Sequence, residues 1–167
     1  MAPSSRSPTP PSTKRLLQEL KANTSEPSTV LQSLHPVSEA DLLHWEAIMK
    51  GIPGTAYEAG LWKLDLQIPP SYPHAPPNIH FITPICHPNV HFVTGEICLD
   101  LLKDAWLPTY TLSSTLEAIH QLLAYPEVDS PLNLDIANLL KQGDKVGGEG
   151  LVRFWCGERR WGGDGGG

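Results

Sequence analysis

The stretch LWKLDLQIPPSYPHAPPNIHF, residues 61–81, decides the fold. Apolar and polar residues alternate from Leu61 to Ile68, and this period of two is typical of a strand with one buried face. The prolines that follow cannot lie in the middle of a sheet, so they predict a rigid loop. Ile79 and Phe81 then predict a further short strand. The stretch therefore indicates strands joined in an antiparallel meander.

The flanking segments predict an α+β domain, in which a helix precedes a four-stranded sheet and further helices follow a long irregular crossing. The remaining elements are expected at residues 14–22 (helix), 29–34 and 43–48 (strands), 112–125 (helix, capped by Ser113 or Ser114 and ended by Pro126), 134–141 (helix) and 149–159 (a weaker helix).

Length and composition indicate one globular domain between two tails. The chain has 167 residues, of which 40% are hydrophobic and 18% charged, and this is enough to bury one core. Residues 1–13 are rich in Pro and Ser and predict a disordered leader, while the Gly-rich residues 161–167 predict a flexible tail. The folded domain is expected to span residues 14–160.

Charge and hydropathy exclude some classes of partner. The net charge of -6, without a long run of Lys or Arg, disfavours nucleic acid and attraction to an anionic membrane surface. No stretch approaches the roughly 18 apolar residues of a membrane span, and the N-terminus lacks the apolar core of a secretory signal. We therefore expect a cytosolic protein without direct membrane insertion.

The three cysteines, Cys86, Cys98 and Cys156, are too few for a disulfide scaffold. In a reducing compartment they are expected to be thiols. A disulfide between Cys86 and Cys156 stays open, because the sequence does not give their distance.

The irregular crossing from Thr83 to Pro108 concentrates the side chains that could carry chemistry. Its motifs are Cys86-His87-Pro88-Asn89, Gly95-Glu96-Ile97-Cys98-Leu99-Asp100 and Trp106-Leu107-Pro108. Buried free cysteines are commonly inert, so the plainest interpretation is that these residues only pack. Against it stands the close spacing of a thiol, an amide, two imidazoles and a carboxylate.

Two other interpretations fit the crossing less well. A zinc site could use Cys86, His87, His91 and Cys98, but their spacing lacks the paired Cys-x-x-Cys of typical zinc sites. A cysteine hydrolase would need a base within hydrogen-bond reach of Cys98. The only histidine after Cys98 is His120, and nothing in the pattern places it beside the thiol.

A carrier thiol uses all the polar groups of the crossing. Acyl transfer from a thioester needs a nucleophilic cysteine in a shallow site, with hydrogen-bond donors for the oxyanion. The amide of Asn89 is neutral and supplies two N–H donors. A carboxylate at the edge of the site can assist an attacking amine. No metal, nucleotide or organic cofactor is implied.

Six motifs, in order, resemble the ubiquitin-conjugating enzyme family over about residues 14–141. They are Tyr57-Glu58-x-Gly60, Tyr72-Pro73-x-x-Pro76-Pro77, His87-Pro88-Asn89, Gly95-x-Ile97-Cys98-Leu99-Asp100, Trp106-x-Pro108 and Pro131-Leu132-Asn133. The resemblance implies the ubiquitin-conjugating fold, with Cys98 as the cysteine that holds ubiquitin as a thioester. It implies that Asn89 stabilises the oxyanion or its loop and that Asp100 borders the site. His87 and Pro88 are then structural residues of the turn.

One position departs from the family pattern. Members often place an acid just before the Pro-Leu pair, where it orients the incoming lysine, but here Ser130 holds that position with Asp129 beside it. A hydroxyl cannot hold a cationic lysine as a carboxylate can. Either Asp129 substitutes or the acceptor is not an ordinary lysine, and a thiol acceptor would make the acid less necessary.

The resemblance also implies docking surfaces. Family members use the first helix to bind the activating enzyme and the ligase, and Lys14 and Arg15 match its basic positions. The ligase additionally contacts the tips of two loops, which here carry His74 and the pair Leu107-Pro108. Ubiquitin, the activating enzyme and a ligase are therefore the expected partners.

Three stretches resemble the peroxisomal branch of the family: ICLDLLKDAW (97–106), DIANLL (135–140) and GDK (143–145). This resemblance implies a RING-type ligase of the peroxisomal membrane, a membrane-anchored peroxin that holds the enzyme on the cytosolic face, and an import receptor as substrate. The alternatives are a conjugating enzyme outside the peroxisome and a non-catalytic module of the same fold that binds ubiquitin or a ligase.

Overall fold

The computed structural model describes residues 8–162 and has the predicted α+β architecture. Its elements are α1 (Pro11–Ser25), β1 (Leu31–Ser38), β2 (Asp41–Lys50), β3 (Leu61–Gln67), β4 (Asn78–Phe81), a 3-10 turn (Asp100–Leu102), α2 (Leu112–Ala124), α3 (Leu134–Lys141) and α4 (Lys145–Glu158). The four strands form one antiparallel sheet in the order β1-β2-β3-β4. The predicted meander is confirmed.

The alternating pattern of β3 builds the core, as the sequence predicts. Trp62, Leu64, Leu66 and Ile68 are all buried. β3 pairs with β2 from Leu61 to Gln67 and with β4 from Leu64 to Gln67. Helices supply the other side of the core, through Leu16 of α1 and the buried face of α2, which consists mainly of Leu112, Leu116, Ile119 and Leu123.

The first helix begins at Pro11 rather than at the predicted Lys14, so the predicted leader is too long. Pro11 occupies the first turn, where the N–H that proline lacks would have no helical partner in any case. Ser12, assigned to the leader, is buried at 4% exposure. Residues 1–7 of the leader lie outside the described part of the chain.

The last helix begins at Lys145 rather than at the predicted Glu149. Glycines at 147, 148 and 150 lower the helix propensity of its first turns, and this conceals the start in the sequence. The Asp144 side chain offsets part of that cost because it accepts a hydrogen bond from the Gly147 N–H at 2.8 Å. Gly148 lies against α3, where an added Cβ would be 3.5 Å from Leu140.

The segment after α4 returns to the sheet, so Trp161 belongs to the folded domain and not to the predicted tail. Its N–H donates to the Leu61 carbonyl at 2.8 Å. The Lys63 ammonium lies 4.7 Å from the centre of its indole ring, within the range of a cation–π contact. Residues 163–167 of the tail lie outside the described part of the chain. No helix within residues 8–162 is both long and apolar enough to cross a membrane.

A capping box starts α2, and its cap is Thr111 rather than the predicted Ser113 or Ser114. The Thr111 hydroxyl accepts from the Ser114 N–H at 3.0 Å, and the Ser114 hydroxyl accepts from the Thr111 N–H at 2.9 Å. These reciprocal bonds satisfy amides at the helix start that no helical carbonyl can reach.

Loss of this cap should destabilise the protein measurably. We expect Thr111→Ala to lower the free energy of unfolding by about 1 kcal/mol, the usual value for a lost cap hydroxyl. Ser113→Ala is the matched control, since no side-chain hydrogen bond of Ser113 occurs in the described residues, and it should change stability by less than about 0.5 kcal/mol. Urea denaturation followed by circular dichroism measures both; equal losses would contradict the assignment.

Candidate active site

The His87-Pro88-Asn89 turn lies inside the protein. His87 and Asn89 are both completely buried. The Nε2–H of His87 donates to the Leu122 carbonyl at 3.0 Å, and its Nδ1 accepts from the Asn89 N–H at 3.0 Å. Burial lowers the pKa of His87 to about 4, which keeps the ring neutral near pH 7. With both ring nitrogens engaged by backbone, His87 is a structural residue of the turn.

The side chain of Asn89 holds the segment after α2. Its Oδ1 accepts from the Glu127 N–H at 2.8 Å, while its Nδ2 donates to the Glu127 carbonyl at 2.6 Å and to the Ser130 carbonyl at 3.1 Å. Both of its N–H donors are therefore occupied at rest. Of the two roles that the resemblance implies for Asn89, this geometry supports the one of holding the loop.

The backbone of Pro88 joins two motifs that are far apart in the sequence. Its carbonyl accepts from the Leu132 N–H at 2.7 Å and from the Asn133 N–H at 3.1 Å. Together with Asn89, these bonds fix residues 127–133 along the His87-Pro88-Asn89 turn. Glu127 could not be predicted from the sequence, because it contributes only backbone groups to this arrangement and its side chain gives no signal of them.

Cys98 lies beside the same turn at the surface. Its N–H donates to the Asn89 carbonyl at 2.8 Å, and the neighbouring Ile97 forms a β-bridge with Val90. The residue is half-buried, and Asp100, at the start of the 3-10 turn, is exposed. Cys98 is thus placed by backbone contacts beside the His87-Pro88-Asn89 turn.

The other two cysteines are less suited to react. Cys86 and Cys156 are each 3% exposed. Burial raises the pKa of Cys86 to about 12 and that of Cys156 to about 11, so both stay protonated at neutral pH and the thiolate needed for attack is scarce. All three cysteines are free thiols, and the disulfide that the sequence left open is not formed.

Neither a zinc site nor a hydrolase triad is assembled within residues 8–162. No three His, Cys, Asp or Glu side chains converge there in a way that could hold a metal ion, and the Nδ1 of His91 accepts from the amides of Val93 and Thr94. No described side chain hydrogen-bonds to the sulfur of Cys98. His120 makes no hydrogen bond to this sulfur, and its ring lies beside the backbone of Lys50 and Gly51 at the end of β2.

Asp129 and Ser130 are exposed on the segment that Asn89 holds. The Ser130 carbonyl bonds to Asn89, whose own carbonyl bonds to the Cys98 N–H. Ser130 is therefore connected to the backbone of Cys98 through Asn89, and Asp129 is its neighbour in the sequence. Neither side chain hydrogen-bonds to Cys98 in the described structure.

The residues expected at docking surfaces lie on adjoining elements. Lys14, His74, Leu107 and Pro108 are exposed. The Trp106 indole N–H donates to the Pro73 carbonyl at 2.8 Å, which joins the loop of His74 to the loop of Leu107. Arg15 differs from the others, because its guanidinium is directed inward and donates to the carbonyls of Pro108 and Tyr110.

The buried imidazole predicts a specific dependence of stability on pH. Because the pKa of His87 is about 4 in the folded state and about 6.5 unfolded, only the unfolded chain gains this proton between these pH values. The free energy of unfolding should therefore fall by about 3 kcal/mol from this group as pH drops from 6.5 to 4.

Carboxylates titrate in part of the same range, so the comparison must be between variants. His87→Asn should show a shallower pH dependence than the parent in urea denaturation at pH 7.0, 6.0, 5.0 and 4.5, in spite of a lower starting stability. His35→Gln removes an exposed histidine and should keep the steep dependence. Equal slopes in all three proteins would contradict a buried neutral His87.

The model of the ubiquitin-conjugating enzyme family matches residues 15–149. Among similar proteins, the ubiquitin-conjugating enzyme E2 PEX4 of Gibberella zeae is 46% identical over 146 residues, covering 86% of this chain and 85% of its own. The ubiquitin-conjugating enzyme E2 pex4 of Dictyostelium discoideum is 49% identical over 141 residues (84% and 94%). Protein PEROXIN-4 of Arabidopsis thaliana is 48% identical over 117 residues (70% and 74%).

A solved structure has the same fold. It is the crystal structure of the H. polymorpha ubiquitin conjugating enzyme Pex4p in complex with the soluble domain of Pex22p. It matches with a TM-score of 0.83 and 37% identity, covering 89% of this chain and 98% of that one.

Proposed function

Because this chain belongs to the ubiquitin-conjugating enzyme family, we propose that Cys98 carries ubiquitin as a thioester and passes it to an acceptor with the help of a ligase. The observation that supports this role is the contrast among the three thiols. Cys98 lies at the surface beside the Asn89 turn, whereas Cys86 and Cys156 are buried and have raised pKa values.

The first step is an exchange of thioesters. The Cys98 thiolate attacks the carbonyl carbon of ubiquitin held as a thioester by the activating enzyme, and the new S–C bond replaces the old one. The thiol of the activating enzyme leaves as a thiolate and takes up a proton from water. This exchange is close to isoenergetic and needs no strong base on the receiving enzyme, which agrees with the lack of a described side-chain partner for the Cys98 sulfur.

In the second step an acceptor amine or thiolate attacks the carbonyl carbon of the Cys98 thioester and an oxyanion develops. Its collapse breaks the C–S bond, so that Cys98 leaves as a thiolate, and an amine acceptor gives up its proton to water or to that thiolate. Asn89 assists chiefly by holding residues 127–130 in place beside the thioester. One of its N–H donors could turn from the Glu127 or Ser130 carbonyl to the oxyanion, and in a site shielded from water such a donor stabilises the transition state strongly. Asp100 and Asp129 are exposed acids that can attract a cationic acceptor.

The acceptor can be a lysine or a cysteine. Ser130 lacks the charge with which a carboxylate orients a lysine ammonium, while a thiol acceptor needs no such partner. The exposed Asp129 is the residue that would replace the missing acid for lysine. Discharge of charged enzyme to free lysine and to free cysteine, compared between the parent and Asp129→Asn, separates the two cases.

The cellular setting that we propose is the cytosolic face of the peroxisome. Support comes from relatives named PEX4 and PEROXIN-4 and from the H. polymorpha Pex4p structure in complex with Pex22p. By this analogy a membrane-anchored peroxin tethers the enzyme, a RING ligase of the peroxisomal membrane activates it, and an import receptor is the substrate.

Replacing Cys98 should separate a carrier from a non-catalytic binding module. With activating enzyme, ATP and ubiquitin, the parent should form a conjugate that reducing agent removes from the gel. Cys98→Ser should give a conjugate that resists reducing agent, because an ester replaces the thioester, and Cys98→Ala should give none. Cys86→Ala is the matched control and should charge like the parent. A module that only binds would form no conjugate in any variant.

Replacing Asn89 should affect discharge more than charging. We expect Asn89→Ala to charge at a rate within about threefold of the parent but to discharge to an acceptor roughly 100-fold more slowly, the size typical of a lost oxyanion-site group. Single-turnover assays measure the two steps separately. Asn138→Ala, on the exposed side of α3, should leave both rates unchanged. Equal loss of both steps would make Asn89 a residue of the fold alone.

A further inference from the structure

The guanidinium of Arg15 binds the loop that follows the active-site crossing. Its Nη1 donates to the Pro108 carbonyl at 2.9 Å and its Nη2 to the Tyr110 carbonyl at 2.7 Å. Its Nε donates to the Glu19 carboxylate at 3.0 Å, and its side chain is 23% exposed. All three nitrogens therefore have partners within the protein, and the planar fork of the guanidinium suits this simultaneous binding.

Glu19 extends the same contact to two further segments. One carboxylate oxygen accepts from the Leu112 N–H, the first amide of α2, at 2.6 Å, and the other accepts from the Tyr72 hydroxyl at 2.5 Å. The Glu19 side chain is 9% exposed, and hydrogen bonds to a shielded carboxylate are among the stronger ones in proteins. Burial and the hydrogen bond to Glu19 raise the pKa of Tyr72, so the phenol stays a donor.

These bonds fix both sides of an exposed leucine. Leu107 is 52% exposed, although such a side chain is usually buried. The residue before it, Trp106, is buried and bonded to Pro73, and the residue after it, Pro108, is bonded to Arg15. The Leu107 carbonyl also accepts from the Tyr110 N–H at 3.0 Å. The loop thus presents Leu107 to solvent in one fixed orientation.

We propose that Arg15 and Glu19 are positioning residues for ligase docking, which hold residues 106–112 so that Leu107 meets the ligase in a preformed geometry. The inference rests on the proposed function and on the family resemblance, which implies that the loop of Leu107 and Pro108 contacts the ligase. Arg15 and the exposed Lys14 beside it therefore have different roles. Arg15 acts by holding the loop, and not by placing its charge against a partner.

The substitution of lysine for arginine distinguishes these two roles. Arg15→Lys keeps the positive charge that Arg15→Ala removes, so it would preserve any contact with a partner that needed only a charge at the helix surface. A single lysine ammonium cannot reproduce the geometry in which two nitrogens of the planar guanidinium donate to the carbonyls of Pro108 and Tyr110. We therefore expect Arg15→Lys to behave like Arg15→Ala. Lys21→Ala, an exposed position of the same helix, is the matched control.

Hydrogen exchange on the free, uncharged chain tests the positioning directly. In Arg15→Ala and Arg15→Lys, protection of the Tyr110 and Leu112 amides should fall at least about tenfold, as expected when charge-assisted hydrogen bonds that close a loop are lost. Amides of β2 and β3 should keep their protection, which excludes general destabilisation. Unchanged protection at Tyr110 and Leu112 would overturn the proposal, whatever the outcome of any ubiquitin assay.

The functional arm uses a RING domain that stimulates discharge of the parent protein. Stimulated discharge should fall at least about tenfold in both Arg15 variants, while unstimulated discharge of the purified charged enzyme to free lysine, which involves neither the activating enzyme nor a ligase, should stay within about twofold of the parent. Restoration of stimulated discharge by Arg15→Lys would overturn the proposal and make Arg15 a charge contact. Failure of the parent itself to charge would refute the proposed function, and the exchange result would still decide whether Arg15 positions the loop.

Discussion

The buried amide of Asn89 is the contact on which the site depends. Its three hydrogen bonds hold residues 127–130, and its backbone carbonyl holds Cys98. A buried polar side chain is costly unless its donors and acceptors are all satisfied, so this arrangement strongly favours one position of the segment relative to the thiol. The neutral ring of His87 fixes the turn from the other side.

That constraint explains how the site can work although no side chain within residues 8–162 hydrogen-bonds to the Cys98 sulfur. The chemistry needs a nucleophile and an acceptor held in place beside it, and both requirements depend on position more than on proton transfer. The same turn leads into the core through Cys86, which is buried and has a raised pKa. The fold therefore separates two thiols that lie close in sequence into an inert one and an accessible one.

Much of the fold could be predicted from the sequence because its signals are local. Alternation in residues 61–68 follows from the geometry of a strand, and the bounds of α3 were predicted because its apolar spacing and the glycine after it are sharp. The predicted starts of α1 and α4 were wrong because the local sequence signals there point away from a helix. Pro11 and the glycines of α4 lower local propensity or are typical of loops, and tertiary packing outweighs them.

In the candidate site, too, some features could be predicted from the sequence and others depend on tertiary contacts. Motifs single out Cys98, Asn89 and the His87-Pro88 turn as candidates, because the role expected of each depends on its side-chain type. The partners of Asn89 are backbone groups of Glu127 and Ser130, and those of Arg15 are carbonyls of Pro108 and Tyr110. Every residue offers a backbone carbonyl, and every residue except proline also offers an N–H, so no pattern in the sequence could have revealed these contacts.

The most direct test of the central claim is to locate ubiquitin on the unaltered protein. After charging under non-reducing conditions, the conjugate is digested and the modified peptide is identified by mass spectrometry. The account predicts one modified residue, Cys98, and loss of the modification on treatment with a thiol. Ubiquitin attached to Cys86, to Cys156 or to a lysine in the first-formed conjugate would contradict it.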